Sequence, residues 1–179
     1  MYDFIELVEK FEGIIGALFG VIITMILTQW LKSLGKTRFY LVSSEFKYMR
    51  DTVNDFGETR SEHCEKVEAD NLQINCTIEI YNSSEIHKIL RDVKFSFYDG
   101  GKMLLNVTPE DKETEQRAKY WTIREELLNI NIPPKQIITI ELIRYIGEQY
   151  TETIKQCNRV MLTMKNHNGK KHKINIAEI

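Results

Sequence analysis

Between Gly13 and Leu31 the chain runs nineteen residues, GIIGALFGVIITMILTQWL, without one formal charge. As a helix this stretch is about 28 Å long, against about 30 Å for the hydrocarbon core of a bilayer. A helix packed in a soluble core keeps a polar stripe where it meets water, and no charged stripe interrupts this run. A secretory signal peptide is the competing explanation, and it calls for a basic leader and a small-residue cleavage site. Here Asp3, Glu6, Glu9 and Glu12 precede the run against one Lys10, and Trp30-Leu31-Lys32 closes it. The expectation is a retained transmembrane helix over 13–31 behind a short acidic tail over 1–12, with Trp30 in the interfacial aromatic belt.

The flanks assign an orientation. Residues 1–12 sum to −3, whereas Lys32, Lys36 and Arg38 place three positive charges within seven residues after the span. The positive-inside rule then puts the N-terminus outside the cell membrane, a basic juxtamembrane segment at 32–36, and the rest of the chain in the cytosol. Within the span Gly16, Gly20, Thr24 and Thr28 recur every four residues. Small residues at that spacing let two helices approach closely, so this face is a candidate for homodimerisation, although glycine and threonine are common in membrane helices generally.

Beyond residue 31 the chain carries 23 Lys+Arg and 22 Asp+Glu, a net of +1 that by itself favours no charged partner. The pattern there has period two. Leu72, Ile74, Cys76, Ile78 and Ile80 alternate with Gln73, Asn75, Thr77, Glu79 and Tyr81, the signature of a half-buried strand. Val93, Phe95 and Phe97 repeat it, and Asp99-Gly100-Gly101-Lys102 then turns the chain into Met103–Val107. Leu128, Ile130 and Ile132 alternate up to Pro133-Pro134, and Ile138, Ile140 and Leu142 follow. Val160, Leu162 and Met164 lead through the turn Asn166–Gly169 to Ile174 and Ile176, and Thr37–Tyr48 reads as a strand directly after the span. These seven or eight short strands predict a mainly β fold over 37–179, an antiparallel β-sandwich of immunoglobulin-like type. Arg50–Asp70, with seven acids and three bases, reads as a long loop. Asp111–Glu126 is open between helical turn, loop and edge strand, and Arg144–Cys157 has a weakly helical spacing.

The acidic N-terminal tail, the single span, the Lys-x-x-x-Lys-x-Arg flank, and the segments IEIYNSSEIHKILRDVKFSFYDG and LLNINIPPKQIITIEL resemble small single-pass proteins of unknown function. Bacteria and their phage-like or mobile elements encode such proteins. The resemblance covers nearly the whole chain and implies a membrane-tethered sandwich domain. It carries over no active-site residue.

The sequence offers little chemistry. Cys64, Cys76 and Cys157 are an odd set, and free thiols of a reducing cytosol are the expectation, with a Cys76–Cys157 bridge between sheets as the alternative. His63, His87, His167 and His172 lack the spacing of a zinc site, and no metal or other cofactor is expected. Nor does a P-loop, a G-x-G-x-x-G or a nucleophile elbow occur. Asn75, Asn82 and Asn106 open glycosylation sequons but read as strand and turn residues. Lys170, Lys171 and Lys173 form a basic turn suited to anionic lipid headgroups. No aromatic residue is interleaved with them, which argues against nucleic acid.

The function expected is therefore non-enzymatic: a membrane-anchored protein whose cytosolic sandwich binds a protein partner. A self-associating structural protein and, with inverted topology, an extracytoplasmic receptor or exclusion factor are the alternatives. A fluorescent protein fused after Ile179 should be bright and an alkaline phosphatase fused there inactive; an active phosphatase reverses the orientation.

Overall fold

A computed structural model describes residues 2–119 and 121–179. The side chains of residues 2–10 and 12, and so the tail's acidic groups, lie outside that description. Helix α1 (Tyr2–Ser33) is unbroken, so the acidic segment is helical too. Its stretch Gly13–Ser33, with a mean hydropathy of 2.1, is long and apolar enough to cross a membrane and is nowhere buried against the rest of the chain.

The strands that follow are β1 (Thr37–Val53), β2 (Thr59–His63), β3 (Asn71–Asn82), β4 (Lys88–Asp99), β5 (Lys102–Val107), β6 (Glu110–Asp111), β7 (Gln116–Arg117), β8 (Thr122–Ile123), β9 (Asn129–Ile132) and β10 (Ile137–Ile146). Helix α2 (Thr151–Gln156), β11 (Arg159–Asn166) and β12 (Lys171–Glu178) complete the chain. One antiparallel sheet has the order β2-β1-β3-β10-β6. The other runs β12-β11-β4-β5, with β9 beside the first half of β4. The small β7–β8 ribbon stands apart.

The alternating residues meet between the sheets. Leu72, Ile74, Cys76, Ile78 and Ile80 of β3 face Val93, Phe95 and Phe97 of β4 and Val160, Leu162 and Met164 of β11 in a single core. Each such side chain contributes about 1.5–3 kcal/mol on full burial. The mainly β sandwich is thus as the period-two pattern predicts. Both hairpins form at the expected residues: Asp99 pairs with Lys102 across Gly100 (φ +56°), and Lys165 with Lys171 across Gly169 (φ +75°). All three cysteines are free, Cys76 and Cys157 being buried.

Two readings change and two open segments resolve. The segment 50–70 is not a loop: β1 runs on to Val53 and turns back through β2, and a 3₁₀ turn at Lys66–Glu68 leads to β3. Leu128 falls outside β9 and is 54% exposed, so the inward alternation there begins at Ile130. Segment 111–126 holds the edge strand β6, a 3₁₀ turn at Lys112–Thr114 and the β7–β8 ribbon, joined to β10 by the ion pairs of Arg144 with Glu110 and Glu126. The helical spacing after Arg144 resolves into the end of β10 and then α2, whose Ile154 is buried.

Phe95 is fully buried where both sheets converge. Phe95→Ala should lower the unfolding free energy by about 3–5 kcal/mol in denaturant titrations of the detergent-solubilised chain.

Candidate functional site

The two ends of the sandwich differ. At one end α1 enters the domain, and its last turn is fastened to the β3–β4 loop. The Leu34 N–H donates to the carbonyls of Trp30 (3.2 Å) and Leu31 (3.1 Å), continuing the helix. The Glu85 N–H then donates to the Lys32 carbonyl (3.0 Å), and Lys88 Nζ reaches the Ser33 carbonyl (3.4 Å). Donors from outside the helix thereby satisfy carbonyls that a helix C-terminus leaves open. Lys36 and Ser83 are bonded reciprocally. The Lys36 N–H donates to Ser83 Oγ (2.7 Å), and the Ser83 hydroxyl and N–H both donate to the Lys36 carbonyl (3.0 and 3.1 Å). Gly35 (φ +147°) lies so close that a Cβ would stand 2.5 Å from the Ser84 nitrogen, and no other residue fits there.

Asn82 holds this loop in shape. It is fully buried, and its Nδ2 donates to the carbonyls of Ile86 (2.8 Å), Pro133 (3.1 Å) and Ile132 (3.3 Å). Its Oδ1 accepts from the Ser84 N–H (3.0 Å) and hydroxyl (2.6 Å). The sequon asparagines therefore have structural partners: Asn82 here, Asn75 to Glu45 and Asn106 to Ser96.

Beside this junction lies a cleft of about 330 Å³. Gly35–Thr37, the start of β4 at Lys88–Leu90, and the β11–β12 turn line it. Lys36, Lys88, Lys170, His167 and His172 contribute its basic groups, and no acid is among the described residues that line it. His172 stacks obliquely on Phe39, with ring centroids 5.1 Å apart. Burial, and then the Lys170 ammonium, hold its imidazole below the ordinary value.

Lys171 and Lys173 lie elsewhere. They line a cleft of about 290 Å³ on the outer face of the β4 sheet, with Lys94, Lys165, Tyr98 and Met103. A β-bulge shapes that face: β4 carries one extra residue opposite β11, and Asp92 takes φ +54° there. Lys165 Nζ sits 2.7 Å from the Asp92 carboxylate, and this hydrogen bond first and its charge second hold the carboxyl low. The basic turn is thus divided between two surfaces. Of the other residues singled out from the sequence, Lys32 and Lys36 take part in the junction and Arg38 is exposed on β1. Gly16, Gly20, Thr24 and Thr28 are exposed along α1, with the Thr24 hydroxyl bonded back to the Gly20 carbonyl (2.8 Å). Lys88 was not anticipated; only the pairing of β4 with β11 brings it beside Lys170.

At the opposite end the β1–β2 hairpin projects beyond β3 as a two-stranded arm. β1 is 17 residues long, which places the tip about 55 Å from the junction. Asn54 Oδ1 shapes the tip by accepting from the N–H groups of Phe56 (3.0 Å) and Glu58 (2.9 Å), with Gly57 at φ +79°. Phe56 is 90% exposed there, Val53 also stands in solvent, and four acids outnumber two arginines over 50–63. Among the described residues no group of three or more His, Cys, Asp or Glu could hold a metal ion.

Comparison with known proteins agrees with this architecture. The model of the YopI Ig-like domain family matches residues 35–177. The SPbeta prophage-derived uncharacterized protein YopI of Bacillus subtilis (strain 168) is 46% identical over 174 residues, which is 97% of each chain. That alignment is longer than 35–177, so it takes in most of α1 as well as the sandwich. Two solved structures that the chain also matches are far more distant. The putative ApaA protein from Bordetella pertussis is 10% identical over 81% of this chain and 91% of its own, at a TM-score of 0.34. An uncharacterized β-sandwich protein from Clostridium difficile 630 is 15% identical over 79% and 86%, at 0.36.

The His172 imidazole binds its proton less tightly in the folded chain than in the unfolded one. Stability is therefore complete above the unfolded value of about 6.5 and falls as pH drops through it. Denaturant midpoints measured from pH 7.5 to 5 should show that slope, and His172→Phe should flatten it.

Proposed function

The chain belongs to the YopI Ig-like domain family, and from that premise we propose that it is a non-enzymatic protein of the cell membrane, anchored by α1, whose cytosolic sandwich binds a protein partner. The observation that carries this reading is the arm, which holds an exposed aromatic side chain at the end of the sandwich away from the helix. Anchoring is supported by the helix itself. Of its large apolar side chains, Ile14, Leu18, Phe19, Met25 and Ile26 are each at least 60% exposed, and none of the set from Phe11 to Leu31 is below 38%. A contiguous apolar surface of that extent marks contact with a membrane or with another protein. The orientation rests on Lys32, Lys36 and Arg38 following the span.

Partner binding is supported by Phe56 and its neighbour Val53. Large aromatic side chains are the usual anchors of protein interfaces. The outer edge of β2 also leaves backbone groups for a partner strand. The non-enzymatic reading rests on the state of the nucleophiles: the Ser96 hydroxyl in the outer-face cleft is engaged with Asn106 and Thr163, not with a base. Self-association is a second reading, favoured by the open space over Gly16 and Gly20, where an added Cβ would meet no atom within 4 Å.

A photoreactive amino acid placed at Phe56 of the full chain in cells should crosslink one predominant foreign protein, and Val53→Asp should abolish that product. Self-crosslinks alone would reject the partner and favour the assembling protein.

A further inference from the structure

We propose that the cleft between Gly35, Lys88 and the β11–β12 turn binds the phosphodiester headgroup of an anionic phospholipid, clamped by Lys36, Lys88 and Lys170. This inference rests on the anchored reading above. Three elements distant in sequence each contribute one lysine to the lining of the same cavity, and none of the three is ion-paired among the described residues. Lys88 uses one N–H on the Ser33 carbonyl and keeps two for a ligand. The β11–β12 turn is closed by its own bonds, with Asn166 Oδ1 accepting from the N–H groups of Asn168 and Lys170, so Lys170 is presented from a fixed backbone. At about 330 Å³ the cavity is at the small end of ligand sites, roughly 300–1,000 Å³, which suits a phosphate with a glycerol.

Position selects the lipid over a soluble anion. Leu34 is still bonded to the last turn of α1, so Gly35 lies only about 6 Å beyond Leu31 along the helix. The headgroup layer on each face of a bilayer is roughly 5–8 Å thick. A cleft whose wall starts at Gly35 opens into that layer when α1 spans the membrane, and the hydrogen-bonded junction keeps it there.

The test uses the full chain reconstituted in phosphatidylcholine vesicles with and without phosphatidylglycerol, and native mass spectrometry to count lipids retained after extraction. The wild-type chain should retain phosphatidylglycerol in preference to phosphatidylcholine. The triple variant Lys36→Gln, Lys88→Gln, Lys170→Gln should lose this preference by on the order of 100-fold, at about fivefold per lysine. Arginine at the same three positions should keep it. Lys171→Gln with Lys173→Gln, on the outer face of the β4 sheet, should leave it unchanged. Equal losses in both glutamine variants would reduce the effect to diffuse surface charge and overturn the site. So would displacement of the lipid by millimolar inorganic phosphate, which would make it a site for free anions. No headgroup preference in a wild-type chain that resists alkaline carbonate extraction would overturn the site and leave the anchor standing. Release by carbonate would overturn the anchor itself.

Discussion

The fold turns on one buried amide. Asn82 ends β3 inside the sandwich, where an unpaired polar group costs about 1–3 kcal/mol, and every donor and acceptor it has is matched. Its partners come from both sides. Ile132 and Pro133 belong to the end of β9, Ser84 and Ile86 to the β3–β4 loop. The amide therefore fixes the loop against the opposite sheet, and the loop in turn fixes the helix through Ser83, Glu85 and Gly35. Core, loop and helix exit are held in one chain of contacts, with no flexible linker between them.

What could be read beforehand follows from which strands have two different faces. β3 alternates because one side meets the core and the other water, so Leu72 to Ile80 announce themselves, as do Phe95 and Phe97. The arm made no such announcement. All five residues of β2 are exposed, so nothing in Thr59–His63 enforces a hydrophobic period, and a polar hairpin reads like a loop. The basic cleft was half legible: Lys170 stands out in its turn, yet Lys36 and Lys88 join it only through the pairings of β1 with β3 and β4 with β11. Those registers depend on contacts between residues far apart in the chain, Thr37 with Asn82 and Leu90 with Asn166, which local pattern does not contain. The bulge at Asp92, which gives the outer face of the β4 sheet its shape, is hidden for the same reason.

The two ends also differ in charge. Lysines gather around the helix exit, while the arm at the far end is acidic, so a nearly neutral domain has a strong internal asymmetry. In a field from an anionic surface such a body has a preferred attitude, basic end inward and arm outward.

The stiffness of the junction makes the arm a pointer. Because Gly35 packs against the Ser84 backbone and Lys32, Lys36, Ser83 and Glu85 are hydrogen-bonded around it, turning α1 about its axis must carry the sandwich with it. At a reach of about 55 Å, a tilt of about 10° moves the tip by about 10 Å, the width of a helix. Whatever sets the attitude of the helix therefore also sets where Phe56 is found, and a loose tether of the same length would erase that correspondence.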